Sequence, residues 1–143
     1  MDPISIVSLV GTVISLLVEL NELLKTTVRL IRRAKAVDSA LNIDVTNITS
    51  LSTLIERIEC SLKEPRLELG HEDLRIIEGG VEGLRNTMEE LKGVIANIVA
   101  CKSKRQRHRM ASKITPLQTN LDRQCNRFIL SLSYVHWYVP LGS

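Results

Sequence analysis

Aromatic side chains are nearly missing from this chain: one Phe, two Tyr and one Trp in 143 residues, and three of the four, Tyr134, Trp137 and Tyr138, crowd the C-terminus. Modules that stack nucleic-acid bases need exposed rings, so this scarcity argues against nucleic acid as a partner. Cysteine is equally sparse. Three cysteines with no CxxC pair and no histidine at ligand spacing exclude a disulfide framework and a zinc site, and are read as reduced intracellular thiols. Cys101 and Cys125 continue the apolar spacing of their helices, so core packing is expected for both.

Chemistry is lacking too. His71, His108 and His136 stand apart, with no carboxylate or thiol at the separation that a metal or a nucleophile–base pair requires. Glu89 and Glu90 are neighbours in sequence and so point to different faces of a helix. Gly79, Gly80 and Gly83 do not make a phosphate-binding loop, because no strand precedes them and no lysine follows. They are expected to admit a closely packed backbone. The chain is read as a non-enzyme without metal or cofactor.

What is abundant is aliphatic residues, above all at the start. Eleven large aliphatic side chains lie between Ile4 and Leu20, and Ser5, Ser8, Thr12, Ser15 and Glu19 form one narrow polar stripe among them. Asp2 is a good N-cap and Pro3 suits the first helical position, so the stretch is read as a helix. Hiding its apolar face is worth very roughly 15–30 kcal/mol, more than the stability of a typical domain. The segment therefore belongs in the centre of a bundle or in lipid. The uncharged run from Pro3 to Val18 rises only about 24 Å, short of a hydrocarbon core of about 30 Å. The acidic start Met1-Asp2-Pro3 does not fit a signal peptide, and the chain is read as soluble and cytoplasmic.

Apolar steps of three and four residues predict helices over 3–35, 38–63, 71–102 and 110–135, followed by a tail at 136–143. Together they describe a single all-α domain over 1–143, an antiparallel four-helix bundle with a fifth helix as the alternative. Leu41, Val45, Ile48, Leu51, Ile55, Ile58 and Leu62 mark the second helix, and Leu74 to Ile98 the third. The first helix has a candidate soft point at Gly11 and a candidate break at Asn21. Thr115-Pro116 is either the cap of the fourth helix or a kink in it. The aromatic tail is expected to fold back over the bundle.

The charge is uneven: residues 1–40 carry +1, residues 41–100 carry −5 and residues 101–143 carry +7, within a net +3. Lys25, Arg29, Arg32, Arg33 and Lys35 make the end of the first helix cationic, which suits either the helix dipole or an anionic surface. The run Lys102, Ser103, Lys104, Arg105, Gln106, Arg107, His108, Arg109 is read as a basic loop. Solvation, phosphoinositide contact, nucleic-acid contact and a nuclear localisation signal are all open for it.

The opening Asp2-Pro3-Ile4-Ser5, the segment from Leu51 to Glu59, the segment from Leu117 to Arg123 and Phe128-Ile129-Leu130-Ser131-Leu132 together resemble the HeLo-like domains found at the N-termini of fungal STAND and NLR-like proteins. The resemblance implies a bundle whose N-terminal apolar helix is released on activation and attacks a membrane, causing regulated cell death in innate immunity or incompatibility. Under it, the membrane-inserting residues are Ile4, Ile6, Val7, Leu9, Val10, Val13, Ile14, Leu16, Leu17 and Leu20. The anionic-lipid contacts would be Arg29, Arg32, Arg33, Lys102, Lys104, Arg105, Arg107 and Arg109. It further implies a homo-oligomer, relocation to an anionic plasma membrane on activation, and an NLR-like partner or C-terminal domain. No nucleotide-binding domain or amyloid motif follows within these residues, so the chain is read as an excised domain or one that works alone. The alternative is a non-enzymatic module for oligomerisation or partner docking, with its first helix permanently in the core.

Overall fold

The computed structural model describes residues 3–64 and 69–135, with the side chains of the first helix described from Ile6 onward. Five helices follow one another: α1 (Pro3–Val37), α2 (Thr46–Leu62), α3 (His71–Ala100), α4 (Lys104–Ala111) and α5 (Ile114–Leu132). There is no strand among the described residues. Four of these helices are long and form the expected antiparallel bundle. The caps expected at Asp2 and the fold of the tail 136–143 lie outside the described residues.

The centre of the bundle is α3 rather than α1. Its three-and-four spacing buries Leu74, Ile77, Val81, Leu84, Met88, Leu91, Ile95 and Ile98, and it packs between α1 on one side and α5 on the other. Glu72 and Asp73 occupy its first turn, where Asp73 accepts a hydrogen bond from the Gly70 N–H at 3.1 Å. Negative charge there complements the helix dipole. The second helix lies along α1, where Ser52 Oγ donates to Asn21 Oδ1 at 2.5 Å and Asn21 Nδ2 donates to Glu56 Oε1 at 3.3 Å. Asn21 therefore does not break α1; it is buried and spends its amide across the helix pair. Gly11 does not break it either. Between α2 and α5 the seam is polar: Asn47 Nδ2 donates to Asp122 Oδ1, and Gln118 Nε2 to the Asp44 carbonyl.

Two helix boundaries differ from expectation. The second helix starts at Thr46, not at residue 38, because Asp38 and Asp44 turn the chain instead. Asp38 Oδ1 accepts from the Ala40 N–H at 3.0 Å, and Asp44 Oδ1 from the Thr46 N–H at 2.9 Å. That bond to Thr46 lowers the Asp44 carboxyl below its ordinary value. Leu41 is buried and Val45 half-buried, and their spacing to Ile48 continues the steps of four and three that made this connector look helical. The fourth helix is two: the run read as a basic loop is helical as α4, with Ser103 Oγ accepting from the Gln106 N–H, and a break at Ser112-Lys113 precedes α5. Pro116 falls in the first turn of α5, where a missing N–H costs nothing.

The glycines of α3 also act differently. A Cβ on Gly80 would lie 2.5 Å from the Phe128 ring, so this glycine admits an aromatic side chain and not a backbone; Gly79 and Gly83 have nothing within 4 Å.

Candidate functional site

Helix length decides what α1 can hide. At about 1.5 Å per residue, its 35 residues reach about 52 Å, whereas the 17 of α2 reach about 26 Å and the 19 of α5 about 28 Å. The cross-helix contacts set the register: Glu19 meets Arg85, Asn21 meets Ser52, Thr87 meets Gln124, and Gly80 meets Phe128. Extended along these pairs, α2 and α5 both end near the level of Val13 on α1. The first turns of α1 run beyond the ends of these two helices, with the start of α3 alongside; among the described residues, Leu69 before α3 and Val135 after α5 are also buried.

Burial follows this overhang. Of the residues read as membrane-inserting, Val13, Leu17 and Leu20 are wholly buried in the core. Ile6, Leu9, Val10, Ile14 and Leu16 are half-buried against the core edge, and Val7 is 71% exposed. The side chain of Ile4 lies outside the described residues. Across the most apolar eighteen-residue window of α1 only 28% is buried. Ser8, Thr12, Ser15 and Glu19, the polar stripe, face water as their spacing implies.

Sequence reasoning missed Val18, which is 42% exposed. The signal was there: at about 100° per residue Val18 shares a face with Val7, Ile14, Lys25 and Arg32.

The cations form two groups. Arg29, Arg32 and Arg33 are exposed on α1, and with Lys25, one turn earlier, Arg29 and Arg32 line a shallow groove against Thr49 and Ser52 of α2. No carboxylate lines it among the described residues. Lys102, Lys104, Arg105 and Arg109 are exposed on and before α4. Arg107 is half-buried: Nη1 donates to the Cys101 carbonyl at 3.4 Å, and its buried Nε has no hydrogen-bond partner among the described residues. The two groups are joined where His108 Nε2 of α4 lies 3.8 Å from the buried Asp38 Oδ2 at the end of α1. Basic α4 and the basic end of α1 thus share one end of the bundle, and the apolar start of α1 lies toward the other.

The remaining reactive side chains make no site. The described residues hold no cluster of His, Cys, Asp and Glu that could bind a metal ion. Cys60 is exposed; Cys125 is half-buried and packed against the core as expected, whereas Cys101 is half-buried and its Sγ lies within hydrogen-bond distance of Gln106 Oε1. Burial pushes the Cys125 thiol up to about 11, with the Asp122 carboxylate adding to the shift. On α5, Ile129 is exposed beside Leu51 and Leu54 of α2, and Leu130 is exposed as well; the reading of α5 as a plain bundle helix did not single them out.

Comparison with protein-family models, with curated proteins and with solved structures finds no match to this chain.

Proposed function

We infer that this chain is a membrane-targeting, cell-death-inducing bundle of the HeLo-like kind, acting in fungal innate immunity or incompatibility by releasing the start of α1 into an anionic bilayer. The observation that carries this reading is the apolar start of α1, where Ile6, Leu9 and Val10 are only half-buried against the core edge and Val7 is exposed. Water is a poor medium for such a surface, and burial in lipid recovers about 25 cal/mol per Å². Small hydroxyl residues along the polar stripe also let helices pack closely once in lipid. In this reading the bundle lies along the membrane on the face of α1 that carries Val7 and Val18 with Lys25, Arg29 and Arg32, so that the cations meet anionic headgroups while the start of α1 enters lipid, and the protein relocates from the cytoplasm to the plasma membrane and oligomerises there.

Magnitudes divide the release into two stages. The turns before Val13 contribute no wholly buried described side chain and detach cheaply. Freeing α1 as far as Leu20 also unseats Val13, Leu17 and Leu20, at about 1.5–3 kcal/mol each, or roughly 5–9 kcal/mol together. That is comparable to the stability of a whole domain, so full insertion requires a trigger or the lipid itself to supply it.

The full burial of Leu17, Leu20, Leu24 and Ile31 favours the second reading, an interaction module whose first helix never leaves the core. Vesicle leakage separates the two. Pure folded protein, monomeric or oligomerised, should release dye from anionic vesicles, and Val7→Glu with Val18→Glu should abolish release while leaving circular dichroism unchanged, because both positions are exposed. Absence of binding and leakage in every oligomeric form would leave only the interaction module.

A further inference from the structure

One serine stands apart in the sequence. Ser112 has Arg109 three residues before it and Arg107 five before it, and no other Ser or Thr of the chain has an arginine at either distance. Every charged side chain between Glu90 and Asp122 is cationic.

The structure leaves that serine open. It follows α4 directly, in the turn Ser112-Lys113 that separates α4 from α5, and it is exposed together with Arg105, Arg109 and Lys113. Its Oγ donates to the Arg109 carbonyl at 2.7 Å, a surface bond that water replaces easily. The helix before it is weakly held. Isolated helices shorter than about 12–15 residues are marginal in water, and the eight residues of α4 include no buried side chain. Half-buried Met110, the Arg107 bond to the Cys101 carbonyl and the His108 contact with Asp38 tie it down, few enough contacts for local opening to cost little.

We propose that Ser112 is a phosphorylation site for a basophilic serine kinase, one whose substrate groove presents carboxylates to arginines three and five residues before the acceptor. Kinases choose substrates by such charge patterns, and arginine–carboxylate pairs are strong and directional. The transfer breaks the bond between the γ-phosphorus of ATP and its bridging oxygen and joins that phosphorus to Ser112 Oγ. ADP leaves, and the hydroxyl proton passes to the aspartate base of the kinase and on to water.

Once attached, the phosphate has a seat. Lys113, at the N-cap of α5, makes no side-chain cap, and no acidic residue stands in the first turn of that helix. A phosphate one residue earlier complements the helix dipole and the unpaired first-turn N–H groups, with Arg109 and Lys113 beside it in sequence. It also takes about two from the net charge of +7 carried by residues 101–143. The site is independent of the membrane reading, since it uses neither the apolar start of α1 nor Lys25, Arg29 and Arg32.

Phosphorylation of the folded full chain tests both the site and the seat. Incubated with magnesium ATP and a purified serine kinase that selects arginine at those two positions, the chain should take up one phosphate, which mass spectrometry places on Ser112. Ser112→Ala should abolish the uptake. Arg109→Gln, at an exposed position, should lower kcat/KM for phosphorylation by about tenfold or more through a higher KM, because one charge-assisted pair with the kinase is lost. Circular dichroism should be the same for all three chains. In the phosphorylated protein, hydrogen exchange at the Ile114 and Thr115 amides should slow by about tenfold, while α2 stays unchanged. No uptake by the natively folded chain, a phosphate on any other residue, or Arg109→Gln phosphorylated as fast as the wild type overturns the site. Unchanged exchange at Ile114 and Thr115 overturns the seat.

Discussion

The ring of Phe128 on α5 occupies the space where a side chain on Gly80 of α3 would stand: a Cβ there would lie 2.5 Å from ring Cδ2 and 2.9 Å from Cε2. Phe128 is 2% exposed, so the ring has little room to move away. This one absent side chain sets how closely the central helix meets α5. Gly80→Ala is expected to destabilise the bundle by about 1–3 kcal/mol, the usual cost of overpacking. Gly79→Ala and Gly83→Ala meet nothing and should stabilise it by about 0.5–1 kcal/mol through helix propensity alone. Urea unfolding of the three variants checks the sign at each position.

A second expectation concerns the polar bridge between α1 and α2. Ser52 Oγ donates to Asn21 Oδ1, and Asn21 is buried. Ser52→Ala leaves that oxygen without its donor and should cost about 1–3 kcal/mol, whereas Ser50→Ala, at an exposed α2 position, should cost little. Thermal unfolding of the pair of variants separates the bridge from a general effect of losing a hydroxyl on α2.

Thiol reactivity should rank the cysteines. Cys60 is exposed, whereas the Cys125 thiol is held up at about 11 by burial, so its thiolate is rare at neutral pH. Alkylation followed by mass spectrometry near pH 8 should modify Cys60 first and Cys125 last, with Cys125 accelerating as the pH climbs toward about 11. The sign for stability follows from the same shift. A folded-state value raised above the unfolded one contributes stability below the unfolded value and loses it as the pH rises through the folded one. Cys125→Ser should therefore flatten any alkaline fall in stability.

The bundle was legible in the sequence because its apolar spacing is strict, and α3 is the clearest case, from Leu74 to Ile98. Boundaries were less legible where side chains compete for the backbone. Asp38 and Asp44 turn the connector before α2, while Leu41 and Val45, four residues apart, imitate a helical period. The basic run from Lys104 hid a helix because α4 buries none of its residues, so it leaves no apolar period to read. Which part of α1 is covered was not legible at all. Val13 and Val7 are the same residue type on the same helix, yet one is fully buried and the other 71% exposed. The difference depends on where α2 and α5 end, a tertiary fact. The inward turn of Arg107 among outward cations is a fact of the same kind.

The central claim is that the apolar start of α1 enters lipid, and a label at Val7, its most exposed apolar position among the described residues, tests this most directly. With Cys60, Cys101 and Cys125 replaced by Ser, and Val7→Cys carrying an environment-sensitive fluorophore, adding anionic vesicles should shift its emission to the blue and make it accessible to quenchers attached to acyl chains. A label at Ser131 on α5, treated in the same way, should stay in water. If the protein sediments with the vesicles while the label at position 7 keeps its aqueous emission, the bundle binds by its cations alone, and the account of α1 is contradicted.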